Sequence, residues 1–208
     1  MRIWGNGYSA LRPVGWLQVG QGWHLGMTST RQKTLRLFFA LWPSAAERAV
    51  LAAWQLPLQK MCGGRTMQPK TLHVTLLFLG AVAESRLEAL QLAAQEVEFG
   101  QFDLELDQTH YWEHNHLVYA APGVVPFQLA GLVNSLQAVL SNHDFKFDRR
   151  PYKPHVTLIR NAKWGDAPLP GQFGACWQIR DFVLVQSLGE EVLGSRYEAL
   201  AWFPARTV

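Results

Sequence analysis

Cysteine is almost missing from this chain: 208 residues contain two, Cys62 and Cys176. They are too few for a disulfide scaffold and lack the C-x-x-C spacing of a zinc or redox pair, so a reducing cytoplasm suits them. Neither has an acid-base partner close by in sequence, and both read as inert thiols. Charged residues are also sparse, 17% against 49% hydrophobic, which excludes an intrinsically disordered chain. Long apolar runs are absent too. Leu35–Trp42 and Leu72–Ala83 carry Arg36 and His73 and stop well short of the roughly 18–20 residues a membrane helix needs. Asn6, Arg12 and Pro13 interrupt the stretch where a secretion signal would be continuous, so a cytoplasmic location away from membranes is expected. No Walker or Rossmann glycine pattern occurs. The net charge of +3 permits an anionic partner without demonstrating one.

The first thirty residues contain no acidic side chain, and glycines at positions 5, 7, 15, 20, 22 and 26 fall among tryptophans without strand or helix periodicity. They read as an appendage, and Met27 is a candidate start, because MTSTRQK leads directly into the first orderly segment. Residues 31–208 then read as one domain, or one domain with two lobes, a length that can bury a core.

Within it, LRLFFALW (Leu35–Trp42) has the length and aromatic content of a buried strand that stops at Pro43. Ser44 and Glu47 make a capping box for a helix carrying Ala49, Val50, Ala53, Trp54 and Leu58 at helical spacing. Leu72–Leu79 reads as a second strand closed by Gly80, and Glu84–Glu98 as an amphipathic helix. Phe102, Leu104 and Leu106 alternate. Tyr111–Trp112 and Leu117–Ala121 follow as a hairpin turning near Glu113–Asn115, and Pro126–His143 is a helix with a leucine stripe. A strand near His155–Ile159, a Gly/Pro-rich loop (Trp164–Gly174) and strands at Ile179–Ser187 and Tyr197–Phe203 complete the pattern, a mixed arrangement with helices covering sheet faces.

One tetrapeptide occurs twice: HVTL, at His73–Leu76 and His155–Leu158, 82 residues apart. An identical pair of this length arises by chance on the order of a third of the time, so the context has to carry the argument. Both copies sit in short apolar strands, both follow a helix, and both have Pro and Lys adjacent just upstream. Strand alternation sends His73 and Thr75 to one face, and likewise His155 and Thr157. If the halves are related by an approximate two-fold axis, two imidazoles and two hydroxyls converge. Such a set suits a phosphodiester: one imidazole takes a proton from water, the other protonates the departing oxygen, and the hydroxyls donate to the phosphate oxygens. A hydrogen-bonded core histidine is the competing reading for either copy alone. Burying two such pairs at matching positions favours function.

RLFFALWP (Arg36–Pro43), LHVTLLFLG (Leu72–Gly80), RPYKPHVTLIR (Arg150–Arg160) and LVQSLGEEVLGSRYEAL (Leu184–Leu200) resemble the RNA 2′,3′-cyclic phosphodiesterases of the 2H phosphoesterase superfamily, earlier described as bacterial 2′-5′ RNA ligases. The resemblance runs from about Thr34 to Pro204. It implies an α+β, two-lobed, duplicated LigT-like (2H phosphoesterase) fold, with antiparallel sheets lining a central cleft and helices outside. It also implies opening of a 2′,3′-cyclic phosphate to a 2′-phosphomonoester without metal or other cofactor. On that analogy His73 is the acid and His155 the base, or the reverse. Thr75 and Thr157 bind phosphate, Arg160 is the arginine after the second motif, and Phe39 is an aromatic stacking on the terminal base, with a plain core phenylalanine as the competing reading. Strict alternation puts Arg160 on the face opposite His155, so it reaches the phosphate only if the strand ends or bulges near Ile159.

Lys146, Arg149, Arg150 and Lys153, with Tyr152 among them, offer either an RNA backbone guide or a solvated loop. His110, His114 and His116 lack a metal-site pattern and read as surface residues. RNA ends or small cyclic nucleotides are the expected partners of a monomer. The competing functions are an RNA-end binding module without turnover, and 2′-5′ ligation as a side activity.

Overall fold

The computed structural model describes residues 32–165, 169, 174–191 and 194–206, with side chains left out at 190, 191, 194 and 195. The appendage at 1–30 and the candidate start at Met27 therefore lie outside the described residues, as does most of the Trp164–Gly174 loop.

The first strand, β1 (Thr34–Leu41), is followed by α1 (Ala45–Cys62). The capping box that starts α1 is present: the Glu47 amide donates to Ser44 Oγ at 3.3 Å, and Ser44 N donates to Glu47 Oε2 at 2.7 Å. The helix continues through Pro57 to Cys62, longer than its apolar periodicity suggests. Then come β2 (Arg65–Thr66), β3 (Val74–Ala83), α2 (Leu87–Gln95), β4 (Phe102–Leu106), β5 (Gln108–Trp112), β6 (Leu117–Ala121) and α3 (Phe127–Asn142). The last four strands are β7 (Val156–Arg160), β8 (Ala175–Ile179), β9 (Asp181–Glu191) and β10 (Gly194–Pro204). Gly80 does not close β3, because its φ of 74° lets the strand run on past it. The sequence reading missed β2 and β8. The first is too short to show a period, whereas the buried-exposed alternation of ACWQI is a period-two signal hidden behind the Gly/Pro-rich loop.

Two four-stranded sheets, ordered β10-β9-β1-β3 and β2-β7-β6-β5, give the two lobes of an α+β fold, and β4 with β8 forms a separate ribbon. All of these pairings are antiparallel. The helices cross over between lobes. α1 follows β1 in sequence yet packs on β7 and β8, and α3 follows β6 yet packs on β3 and α2. Leu51, Trp54 and Leu58 of α1 and Leu129, Leu132, Leu136 and Leu140 of α3 are buried in one continuous core, with Val74, Leu76, Val156 and Leu158 from the strands. Among the described residues no helix is long and apolar enough to cross a membrane.

Candidate active site

Each HVTL copy begins a strand, His73 just before β3 and His155 just before β7. Valine and the first leucine of each copy turn into the core while histidine and threonine stay partly accessible, as a two-residue period demands. The four polar side chains line one open cleft of about 680 Å³, together with Arg160.

Both imidazoles are held in the same way. His73 Nδ1 lies 2.7 Å from the Thr71 carbonyl oxygen, and His155 Nδ1 lies 2.8 Å from that of Lys153, two residues upstream in each case. A carbonyl only accepts, so Nδ1 carries the hydrogen and Nε2 is the basic nitrogen of each neutral ring. Aromatic rings surround both. The Trp42 indole stacks on His73 (centroids 5.1 Å apart, planes at 11°), with Phe38 and Tyr197 each at 5.2 Å. Trp112 stands 4.6 Å and Tyr119 5.5 Å from His155, both nearly edge-on.

Loss of hydration pushes His73 down to about 4, with the charges of His155 and Arg160 acting in the same direction and the Thr71 carbonyl opposing. His155 is also lowered, first by burial and then by Arg160, against the Lys153 carbonyl. Burial thus disfavours the charged form of both rings, more strongly at His73, and an anion beside them would favour it.

Arg160 reaches this face through a bulge. In the β6–β7 ladder, Val118 pairs with Ile159 and the next residue, Tyr119, pairs with Thr157, so Leu158 is extra. The added residue flips the phase, turning Arg160 to the side of His155 and Thr157. The Leu158 carbonyl, freed from the ladder, accepts from Met67 N at 2.8 Å and from the buried Gln55 Nε2 at 2.9 Å. Gly64, at φ 82°, lies so close to the strand end that a Cβ there would come within 2.6 Å of the Arg160 carbonyl oxygen. Arg160 Nε is buried and has no hydrogen-bond partner among the described residues, a donor for an anion in the cleft.

The same shift occurs in the other lobe. Phe39 pairs with Leu77 and Ala40 with Thr75, leaving Leu76 as the extra residue. The position equivalent to Arg160 is Phe78, and the cation on that side comes from β1: the Arg36 guanidinium lies 5.1 Å from the Phe78 ring centroid.

Phe39 is the sequence-derived site residue that the structure moves elsewhere. Its side chain is 0% exposed and packs against Phe182 and Phe203 in the core, so it has no access to a base in the cleft. Phe38 takes the cleft face instead. The sequence did hold a signal: Arg36, a charge inside an apolar strand, marks the accessible face, and alternation then selects Phe38. Of the basic cluster, Arg150 and Lys153 line the cleft with Tyr152, whose buried hydroxyl has no partner among the described residues. Arg150 is tied to Asp148 by a fork of contacts between 2.5 and 3.0 Å, and Arg149 lies over Phe147. His114 lines the cleft, while His110 pairs with Gln108 and His116 with the Tyr111 hydroxyl. Gln55 and the wall of Phe38, Trp42, Trp112, Tyr119 and Tyr197 went unnoticed in the sequence as parts of a site.

The model of the 2′-5′ RNA ligase superfamily matches residues 42–190. The chain belongs to that family. An RNA 2′,3′-cyclic phosphodiesterase of Escherichia coli is 30% identical over 152 residues, spanning 73% of this chain and 86% of the relative. One from Thermus thermophilus is 30% identical over 163 residues, spanning 74% and 82%. In three dimensions, the crystal structure of E. coli LigT in apo form superposes with a TM-score of 0.75 at 28% identity, covering 84% of this chain and 99% of that one. LigT complexed with 3′-AMP gives 0.74 at the same identity, covering 84% of this chain. The residues that match the family model take in both motifs and the strands β3 and β7 that they begin.

Proposed function

We propose that this member of the 2′-5′ RNA ligase superfamily hydrolyses a 2′,3′-cyclic phosphate at an RNA end, or on a nucleotide, to a 2′-phosphomonoester, with His73 and His155 as its acid-base pair and no metal required. The observation that carries this reading is the convergence of two carbonyl-held imidazoles, two threonines and an orphaned arginine donor on one cleft. The relatives named as RNA 2′,3′-cyclic phosphodiesterases supply the substrate class.

In the proposed step, His155 Nε2 takes a proton from water as its oxygen bonds to phosphorus. The bond from phosphorus to the 3′ oxygen breaks, and His73 delivers a proton to that oxygen, leaving a free 3′-hydroxyl and a 2′-phosphomonoester. Thr75, Thr157 and Arg160 donate to the non-bridging oxygens, where charge accumulates. For His73 to carry a proton near neutrality, the phosphate must offset the effect of its burial, since a nearby anion favours the charged ring. The same anion favours a proton on His155, which burial disfavours less, so the exchanged assignment, His155 as acid and His73 as base, is the second reading.

Purified protein incubated with cyclic-phosphate-ended oligonucleotides and with small 2′,3′-cyclic nucleotides, with and without chelator, tests this. The expected result is a 2′-monoester at an unchanged rate when chelator is present. Binding without turnover on every cyclic phosphate would overturn it in favour of an RNA-end binding module.

A further inference from the structure

A second hollow, about 470 Å³, lies beyond the catalytic histidines and includes Trp42, Ser44, Glu47, Trp177, Asp181 and Trp202 in its lining. Its position follows from strand register. Phe38, Ala40, Val183 and Val185 pack as one cluster with Trp42 and Tyr197, on the face of the sheet that looks into the cleft. Trp202 pairs with Val183, and Asp181 lies two residues before it, so both share that face. The hollow is thus a continuation of the cleft along the same sheet. Trp42 belongs to its lining and also stacks on His73.

Its chemistry suits a flat heterocycle better than a phosphate. Trp202 is 50% exposed, a large apolar surface that the fold leaves uncovered. Among the described residues, two carboxylates, Glu47 and Asp181, outnumber the one cation of the lining, Arg180, which donates to the Gln178 side chain; they disfavour a phosphate but accept from base N–H groups. Glu47 already accepts from Ser44 N and Gln178 N, which leaves Asp181 as the acceptor for a ligand. The buried indole N–H of Trp177, without a partner among the described residues, adds a donor to the lining. An RNA end bearing a cyclic phosphate has one neighbour, attached through its 5′ oxygen, so a single adjoining base leaves the cleft.

We infer that this hollow is a subsite for the penultimate nucleobase of an RNA 3′ end, stacked on Trp202, which makes oligonucleotides better ligands than mononucleotides. The inference rests on the cyclic phosphodiesterase reading for the cleft itself. It extends the site by one nucleotide.

Calorimetry with a nucleoside 2′-monophosphate and with the dinucleotide bearing the same 2′-phosphate at its end separates the two. The dinucleotide should bind wild type about 5- to 150-fold more tightly, the range that one stacked base supplies. Trp202→Ala should abolish that advantage while leaving the mononucleotide affinity and the thermal midpoint unchanged, and Trp202→Phe should restore part of it. Equal affinities in wild type, an equal loss on both ligands, or an advantage that survives Trp202→Ala would each overturn the subsite. Because binding is read, the result does not depend on turnover. Hydrolysis of a mononucleoside cyclic phosphate tests the cleft separately.

Discussion

The two lobes present the same backbone device with different side chains. Each has an imidazole pinned by the carbonyl two residues upstream, a threonine two residues on, and an extra leucine that flips the strand's phase. The second lobe uses that flip to deliver Arg160, whereas the first delivers Phe78. His73 is wrapped by three aromatic rings and His155 by two. A duplicated scaffold thus becomes directional, with one wall rich in donors and the other in stacking surface. Like imidazoles in unlike surroundings take up protons in a fixed order, the condition for one to act as acid and the other as base.

The most severe way to break the comparison is to remove the rings. His73→Ala and His155→Ala should each lower kcat about 10²- to 10⁴-fold, and the double variant should fall little further, because the pair works as a unit. The assignment is sharpened by an aryl phosphodiester whose leaving group needs no proton: it should rescue His73→Ala and not His155→Ala. Rescue of the opposite variant exchanges the roles.

Arg160→Met removes the donor that the flipped strand of the second lobe delivers. A loss of about 10²-fold in kcat is expected, on the scale of one oxyanion donor. In the same variant both imidazoles should titrate at higher pH, since the guanidinium lowers each of them. Proton NMR of the wild type should show His155 taking up a proton before His73 as pH falls, with His73 neutral until about pH 4. A reversed order would sink the electrostatic account.

How much of this was legible depended on whether a signal was local. The capping box and the leucine stripe of α3 needed only neighbours in sequence, and the structure contains both. The paired motifs were visible as a repeat. Arg160 was not assignable from alternation, because the bulge is supported from far along the chain, by Gln55 of α1. For Phe39 the burial favours the plain core phenylalanine over the stacking role that the resemblance implies; two adjacent phenylalanines satisfy any apolar pattern, and only the face marked by Arg36 separates them.

The remaining effects are smaller in rate and test those two distant dependencies. Gln55→Leu leaves the Leu158 carbonyl with a single donor and should destabilise the fold by about 1–3 kcal/mol. Thermal unfolding measures that loss, and a fall in kcat would show that Arg160 has shifted. Phe39→Ala should lower stability by about 3–5 kcal/mol while the folded fraction keeps its kcat. Phe38→Ala removes a ring that is only 3% exposed and should cost stability on the same scale, but unlike Phe39→Ala it should also raise KM in the folded fraction. If the two phenylalanine variants behaved alike in KM, the cleft face of β1 would be wrongly assigned.

The crossing of α1 and α3 between lobes governs how the chain can be divided. A polypeptide severed at the Gly123–Val125 connection would yield an N-terminal piece holding the cover for β7 but not β7 itself, and a C-terminal piece holding α3 but neither β3 nor α2. Each fragment would expose a greasy surface that only the other can hide. Assembly of the two halves is therefore built into folding itself, and the gap that receives the phosphate comes into being only when the whole chain has closed upon itself.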